Sequence, residues 1–221
     1  MLIVIAAAIG GFFYWRSNNF LLNSSQSSPS PSIANQSPSS SAPAPSPSNS
    51  PSTNSALLTP PISNALARVT KKPFGFYVTP TNSTVSPEKF TGYHTGVDFE
   101  TWPSEANIDV PIYAVCSGPL RLKERANGYG GVAVQQCDLA NQTVTIIYGH
   151  LRLASVSAKA GDQLIAGQPV AVLGTGYSIE TDGERKHLHL GIHKGTVINI
   201  FGYVQNSADL ANWLDAIKYL K

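Results

Sequence analysis

From about Arg68 onward, short runs of β-prone residues follow one another along the chain. Six of these stretches are rich in β-branched and aromatic residues and are bounded by Gly, Pro, Asn or Asp: 75–79, 111–116, 119–122, 131–136, 143–150 and 169–174. Short strands that follow one another in this way, separated by turn residues, are typical of all-β domains. The pattern therefore predicts a mainly β fold, an antiparallel sandwich or barrel-like sheet.

In the segment KHLHL, residues 186–190, histidines alternate with leucines. Successive side chains of a strand point to opposite faces, so His187 and His189 share one face while Leu188 and Leu190 share the other. The leucines are expected to face a core. Two imidazoles side by side suit a metal site, an active site or a solvated surface.

The end of the chain has a different period. Apolar residues recur at helical spacing at five positions: Leu210, Trp213, Leu214, Ile217 and Leu220. This spacing predicts one amphipathic helix over residues 206–221, packed on or beside the sheet.

The first 15 residues contain no charged side chain. As a helix they would span about 22 Å, which is less than the roughly 30 Å of a bilayer's hydrocarbon core. Residues 20–22 extend the apolar segment if Arg16 reaches toward the headgroups. Residues 1–22 are therefore predicted to be a signal-anchor or a signal peptide, with the membrane as a partner.

A Ser/Pro-rich segment follows. Residues 23–55 hold 15 serines and 7 prolines and no charged residue, a composition that buries too little apolar surface to offset the entropy of folding. We predict a disordered linker over 23–64 and a globular domain over 65–205. An apolar start, a long tether and a domain together predict a tethered or secreted protein that acts outside the cytoplasm.

Net charge and cysteine content bear on the expected partners of the protein and on disulfide formation. The formal net charge of the 221 residues is only +2, and no run of Lys or Arg stands out, so nucleic acid is not an expected partner. Cys116 and Cys137 are the only cysteines. Outside the cytoplasm they could form a disulfide, and two small buried hydrophobic residues are an equally good interpretation.

The histidines fall in three short motifs: GYHTGVDFE (92–100), YGHL (148–151) and KHLHLGIH (186–193). Two histidines and one carboxylate make a common catalytic zinc set, and further histidines suit proton transfer near neutral pH. Surface histidines gathered by coincidence are the alternative. The chain has no HExxH, GxSxG or GxxxxGK[ST] motif, which argues against helical zinc proteases, α/β-hydrolases and P-loop proteins.

These three motifs, in this order, resemble the lysostaphin/LytM-type zinc metallopeptidases, which cleave peptidoglycan cross-bridges. The stretches 110–120, 127–136 and 160–176 also resemble that family, and the similarity covers roughly residues 73–200. The resemblance implies a β fold of the duplicated hybrid motif type. It also implies a cell-envelope endopeptidase that hydrolyses an amide bond in a peptide stem or cross-bridge.

The resemblance also implies roles for individual residues. It makes His94, Asp98 and His189 the ligands of one Zn²⁺ per chain and His150 and His187 the catalytic pair. Tyr93, beside the first ligand, is expected to line the substrate groove. His193 is expected to be a surface residue. The segment 175–186 is longer and more charged than the turn usual in the family.

Two other functions stay open at this point. One is a catalytically silent relative that binds the cell wall or activates another hydrolase. Such relatives typically lack one or more zinc ligands, and all of them are present here. The other is a cytoplasmic sugar phosphotransferase module with a related sandwich fold, which would need neither Asp98 nor an apolar N-terminal segment.

Overall fold

Eleven β-strands lie within residues 57–221, the part of the chain that this computed structural model describes. The predicted membrane segment, 1–22, and the predicted linker up to residue 56 lie outside the described residues. The strands are β1 Tyr77–Val78, β2 Gly92–His94, β3 Gly96–Glu100, β4 Pro111–Tyr113, β5 Gly118–Ala126, β6 Gly130–Leu139, β7 Gln142–Gly149, β8 Gln163–Leu164, β9 Pro169–Val172, β10 His187–Lys194 and β11 Tyr203–Val204. The helical segments are short 3-10 turns: Ala65–Arg68, Pro103–Glu105, Leu153–Ser155, Ser207–Asn212 and Ala216–Lys218.

The strands form three antiparallel sheets. The largest has six strands in the order β3-β10-β7-β6-β5-β8, a second has the order β1-β2-β11, and a third pairs β4 with β9. Among the described residues no sheet closes into a barrel. The predicted mainly β, antiparallel fold class is confirmed.

Strand β10 shows how the sheet divides a core from a polar face. Leu188, Leu190 and Ile192 are fully buried and belong to the main hydrophobic cluster, together with Phe99 from β3 and Tyr148 from β7. Burying one such aliphatic side chain contributes roughly 1.5–3 kcal/mol. The alternate residues of β10 are turned to the opposite face, which carries the histidines.

Four strands were not predicted from the sequence pattern: β2, β3, β8 and β11. The segment 92–100 forms β2 and β3, although its glycines, His94 and Asp98 have low strand propensity. Strand β3 pairs with β10 along its whole length, with Phe99 opposite Leu188. Tertiary pairing overrides local preference here.

The C-terminal segment does not form the predicted single amphipathic helix. Two 3-10 helices, Ser207–Asn212 and Ala216–Lys218, are separated by extended backbone at Trp213. Trp213 forms an isolated bridge with His193, and the Leu214 N–H donates to the Ile192 carbonyl at 2.9 Å. The apolar residues of this segment therefore pack along β10, and this pairing interrupts the helix.

The folded part begins earlier than predicted. Leu58 and Ile62, which fall in the predicted linker 23–64, are each 1% exposed. The Leu58 N–H donates to the Tyr219 carbonyl at 2.7 Å, and this hydrogen bond joins the first described residues to the C-terminal segment. The linker prediction is therefore wrong for this stretch. Within residues 57–221 no helix is both long and apolar enough for a membrane span.

Cys116, just before β5, and Cys137, on β6, are joined as a disulfide with their Cα atoms 6.2 Å apart. Cys137 is also part of the main hydrophobic cluster. Both interpretations of the sequence, covalent pairing and burial, thus apply to this residue.

Candidate metal centre and active site

Three side chains from neighbouring strands meet at one point on the polar face of the large sheet. Asp98 on β3 lies directly opposite His189 on β10, and His94 ends strand β2. His94 Nε2 lies 3.0 Å from His189 Nδ1, and Asp98 Oδ1 lies 3.2 Å from each of these nitrogens. All three residues are at least 96% buried.

A glycine makes room for this cluster. A Cβ atom added at Gly96 would come within 2.6 Å of His189 Nε2, so any larger residue would displace the imidazole. The glycine that follows His94 and Thr95 therefore permits β3 to approach β10 closely.

Hydrogen bonding fixes which atoms of the cluster carry lone pairs. His94 Nδ1 lies 3.2 Å from the Pro73 carbonyl, which can only accept, so Nδ1 carries the proton and Nε2 is an acceptor. Asp98 Oδ1 is an acceptor as well. His189 Nε2 is buried with no hydrogen-bond partner in the described part of the chain. That leaves one proton, on His189 Nδ1, for two acceptors, His94 Nε2 and Asp98 Oδ1.

The arrangement fits a metal ion. His94, Asp98 and His189 each offer one ligand atom, and these atoms lie within 4.8 Å of one another. In a tetrahedral zinc site with bonds of about 2.0 Å, ligand atoms are separated by about 3.3 Å. The observed separations of 3.0–3.2 Å are close to that value. The bond from His94 Nδ1 to a backbone carbonyl is the usual support for a metal-binding imidazole.

The surroundings of Asp98 and His189 favour the protonation states in which these side chains can bind a metal ion. Burial alone would raise the pKa of Asp98, but the imidazoles of His187 and His94 hold that pKa well below its ordinary value. Burial lowers the pKa of His189 to about 4, against the opposing hydrogen bond with Asp98. At neutral pH Asp98 is therefore a carboxylate and His189 is neutral, as metal binding requires.

A second pair of imidazoles lies beside the first cluster. The rings of His150 and His187 have centroids 4.2 Å apart. His150 follows the end of β7 in a left-handed conformation, with φ 62°, which is rare for a residue other than glycine and aims its side chain at His187. His150 Nδ1 is buried with no partner among the described residues, and burial, with a further contribution from His187, lowers the pKa of this ring well below its usual range.

His187 is oriented from both sides. Its Nδ1 lies 2.9 Å from the Arg185 carbonyl and therefore carries a proton, which leaves Nε2 free to accept one. Nε2 lies 3.3 Å from Asp98 Oδ2. The metal candidates and the second histidine pair thus share one carboxylate.

A cleft of about 400 Å³ opens onto both groups. Asp98, His150, His187 and His189 line its floor. Aromatic and aliphatic side chains also line the cleft, namely Phe90, Tyr129, Ile200, Phe201 and Tyr203, and so do polar side chains that include Lys72, Glu184 and Arg185. A cleft of this size with a few converging polar groups is the usual form of a binding site for a small or extended ligand.

Two sequence predictions concern neighbours of these residues. The prediction that Tyr93 lines the groove does not fit its position: its ring packs 4.7 Å from that of Tyr77, and successive residues of β2 face opposite ways, so Tyr93 points away from His94. His193 lies on the same face of β10 as His189 but outside the cluster, with its ring 4.8 Å from that of Trp213. It is partly covered by this contact.

Sequence reasoning missed three residues of the site. The Tyr129 ring lies 5.3 Å from His189 and 5.6 Å from His150, and its buried hydroxyl has no partner in the described residues. Tyr203 lies 5.2 Å from His94, and Arg185 lies 2.8 Å from Asp98. Tyr129 stands between Gly128 and Gly130, both with positive φ, and this glycine-flanked aromatic was the one local signal available.

The chain is similar in sequence to one protein family and in fold to several solved structures. The sequence matches the model of peptidase family M23 over residues 92–200. No curated protein matches the chain. Among solved structures it is similar to the catalytic domain of the antimicrobial peptidase lysostaphin from Staphylococcus simulans, with 21% identity and a TM-score of 0.47 over 70% of this chain and 93% of that one.

Two further structures are similar at the same level. LytU is 24% identical, with a TM-score of 0.45, over 69% of this chain and 90% of that chain. Csd3 from Helicobacter pylori is 22% identical, with a TM-score of 0.43, over 68% of this chain and 35% of that one. The chain thus matches about a third of the length of Csd3.

Proposed function

The chain belongs to peptidase family M23 through residues 92–200, and we propose that it is a zinc-dependent endopeptidase that hydrolyses amide bonds in the peptide stems or cross-bridges of peptidoglycan. The family expected from the three histidine motifs is thereby confirmed. Its zinc dependence, its substrate and the roles of its residues are part of the proposal.

One observation carries the proposal. His94 Nε2, Asp98 Oδ1 and His189 Nδ1 converge within 3.0–3.2 Å, too few protons are available to pair them, and the remaining nitrogen of His189 is buried without a partner. A purely structural cluster of this kind would keep buried polar groups unsatisfied at a cost of about 1–3 kcal/mol each. A divalent cation held by His94 Nε2, Asp98 Oδ1 and His189 Nδ1 removes that cost for these three atoms and places the proton of His189 on its other nitrogen, Nε2.

A zinc ion bound by His94, Asp98 and His189 would supply Lewis-acid chemistry, polarising the scissile carbonyl and making a water molecule more acidic. The remaining steps are proton transfers by side chains of this chain. His187 lines the cleft, and because its Nδ1–H is committed to the Arg185 carbonyl, its Nε2, 3.3 Å from Asp98 Oδ2, is the nitrogen that can take up a proton. His150 is neutral and buried beside it, with an unpaired Nδ1.

The two imidazoles, of His150 and His187, have different roles in the reaction. One takes a proton from the attacking water, and the other holds the developing oxyanion or gives a proton to the amine that leaves. Their rings lie 4.2 Å apart, so both reach the same reacting atoms. The left-handed backbone at His150 is the conformational cost of placing its ring there.

The cleft and the chain's organisation support a cell-envelope role. A cleft lined by both apolar and polar side chains beside the histidines suits an extended peptide whose backbone lies over them. The Cys116–Cys137 disulfide is typical of proteins outside the cytoplasm, and the apolar segment 1–22 suits export with membrane tethering or secretion. The protein is accordingly proposed to act on peptidoglycan outside the cytoplasmic membrane.

The alternative of a catalytically silent relative receives less support. It would require loss of a ligand or of a proton-transfer group, yet all five side chains are present and in contact: His94, Asp98, His150, His187 and His189. The enzyme is therefore the preferred proposal.

Zinc analysis and hydrolysis of purified peptidoglycan sacculi by the full-length protein test this proposal together. Wild type is expected to bind one zinc ion per chain and to release muropeptides. His189→Ala is expected to lose both zinc and hydrolysis, whereas His150→Asn, which keeps a residue that tolerates positive φ, is expected to keep zinc and lose turnover. His193→Ala is the matched control, because His193 lies on the same strand outside the cluster and should change neither.

Zinc-free wild type that releases nothing from sacculi would support the silent relative. Turnover at the wild-type rate in the His150→Asn variant would remove His150 from the catalytic pair.

A further inference from the structure

Arg185 is a buried arginine in contact with the proposed metal site. It lies two residues before β10 begins at His187 and is only 8% exposed. Its Nη2 donates to Asp98 Oδ2 at 2.8 Å, and its Nε lies 3.1 and 3.0 Å from the two carboxylate oxygens of Glu100. A guanidinium buried this deeply needs paired charges, and here the pairing includes a proposed zinc ligand.

The two oxygens of Asp98 have different partners. Oδ1 lies 3.2 Å from both His94 Nε2 and His189 Nδ1. Oδ2 lies 2.8 Å from Arg185 Nη2 and 3.3 Å from His187 Nε2. The planar carboxylate cannot rotate without breaking the short contact with Arg185, so a single oxygen is presented to the other two ligands.

The backbone of Arg185 orients a second functional group. Its carbonyl accepts a hydrogen bond from His187 Nδ1 at 2.9 Å. This contact fixes the tautomer of His187 and leaves Nε2 toward the cleft. One residue therefore holds both a proposed metal ligand and a proposed proton-transfer group.

Charge gives a further reason for an arginine here. Asp98 and Glu100 are two apart on β3 and point to the same face, so their carboxylates would repel each other without a cation between them. Lys71 Nζ lies 3.5 Å from Glu100, but its side chain is 41% exposed and its attraction is correspondingly screened. The arginine fork reaches both carboxylates at once, which a lysine ammonium cannot match.

We propose that Arg185 is a positioning residue for the metal centre: its side chain fixes Asp98 so that Oδ1 alone faces the ion, while its backbone carbonyl, which any residue at this position would supply, holds His187 in one tautomer. This role rests on the proposed zinc-dependent function. It also gives the long charged segment 175–186 a structural role, because this segment places Arg185 beside β3.

The test compares metal binding in full-length wild type, Arg185→Gln and Arg185→Lys. Zinc affinity is measured by competition with a chelator, coordination by the visible absorption of the Co²⁺-substituted protein, and folding by thermal unfolding of the metal-free forms. Loss of an outer-shell contact typically costs about 10–100-fold in metal affinity, and a loss of that size with an altered Co²⁺ spectrum is expected for Arg185→Gln. Arg185→Lys keeps the charge without the fork and is expected to lose less affinity but still to alter the spectrum.

The matched control is Arg121→Gln, which removes the same charge from an exposed arginine on β5 and is expected to leave zinc affinity and spectrum unchanged. Wild-type affinity and spectrum in a folded Arg185→Gln protein would overturn the proposal. If that variant does not fold, an unaltered Co²⁺ spectrum in Arg185→Lys would overturn it instead. Absence of zinc binding in wild type would be a failure of the proposed function itself, which the same experiment distinguishes.

Discussion

Two polar clusters lie beside strand β3, each around a buried charged side chain, and they differ in how completely their buried atoms are paired. The first is the Arg68 cluster, formed by Arg68, Ser63, Trp102 and Glu105. Arg68 is 1% exposed and donates to the carbonyl of Ser63 at 2.6 Å and to both carboxylate oxygens of Glu105 at 2.6 and 2.7 Å. It also donates to the Glu100 carbonyl at 3.0 Å and to Ser63 Oγ at 3.3 Å, and its guanidinium lies over the Trp102 ring.

The second is the histidine cluster, formed by His94, Asp98, His150, His187 and His189. Each of its five residues is at least 96% buried, and yet His150 Nδ1 and His189 Nε2 have no partner within the described residues, and neither has the hydroxyl of the adjacent Tyr129. Native proteins pair nearly all of their buried polar atoms, so unpaired atoms gathered at one place need an explanation. The comparison indicates that the Arg68 cluster stabilises the fold and that the histidine cluster is arranged for a ligand.

The largest effect that separates the two clusters is expected from Arg68→Met. Removing one partner of a buried ion pair costs about 3–5 kcal/mol, and the lower end applies because Glu105 is 15% exposed and regains some hydration. We expect the free energy of unfolding, measured by denaturant titration, to fall by about 3 kcal/mol. Zinc bound per folded molecule should stay at the wild-type level.

Arg68→Lys is the control for this substitution, because it keeps the charge and should recover part of the lost stability. A reduced zinc affinity in folded Arg68→Met protein would show that the two clusters are coupled through β3. That result would break the proposed separation between them.

Acid should weaken the Arg68 cluster. Hydrogen bonds from Arg68 lower the pKa of Glu105 below its ordinary value of 4.5, although burial opposes the shift. A depressed carboxyl pKa contributes stability that is fully present above the unfolded pKa and is lost as pH falls through the folded pKa. The difference in unfolding free energy between wild type and Glu105→Gln should therefore shrink as pH is lowered from 7 to below 4.5. A difference that is constant over this range would mean that Glu105 gains nothing from Arg68 as an anion.

Features set by local sequence could be predicted, whereas features set by long-range contacts could not. The alternation of His187, Leu188, His189 and Leu190 is a local property of a strand, and it predicted which side chains meet the core. The motifs drew attention to the histidines and Asp98 because two histidines and a carboxylate are a common zinc-binding set. Strand β3 itself was missed, since its glycines and polar residues form a strand only through pairing with β10.

Long-range contacts were out of reach for a different reason. Arg68 and Glu105 are 37 residues apart, and Arg185 and Asp98 are 87 apart, so nothing local marks either pair. The continuous helix predicted over 206–221 was wrong because Trp213 pairs with β10, a contact that periodicity alone does not reveal. Periodicity and motifs report local structure and chemistry, whereas the partners of buried charges depend on the whole fold.

The smallest expected effect on stability, and the sharpest test of the comparison, comes from Tyr129→Phe. Tyr129 is 6% exposed, its hydroxyl has no partner among the described residues, and burial raises its pKa, so at neutral pH it is a protonated donor on the cleft wall. Tyr129→Phe removes an unpaired polar atom and should leave the unfolding free energy unchanged or raise it by up to about 1 kcal/mol. If the hydroxyl binds a substrate carbonyl, kcat/KM on peptidoglycan fragments should fall by about tenfold, equivalent to about 1.4 kcal/mol.

Tyr148→Phe is the matched control on the core side of the sheet. The Tyr148 hydroxyl donates to Gln135 Oε1 at 2.8 Å and accepts from the Val115 N–H at 3.0 Å, so its removal leaves two buried groups unpaired. We expect that variant to lose about 1–3 kcal/mol of stability with kcat/KM unchanged. The opposite pattern, with Tyr129→Phe destabilised and fully active, would mean that unpaired buried atoms in this protein do not mark the site of its chemistry.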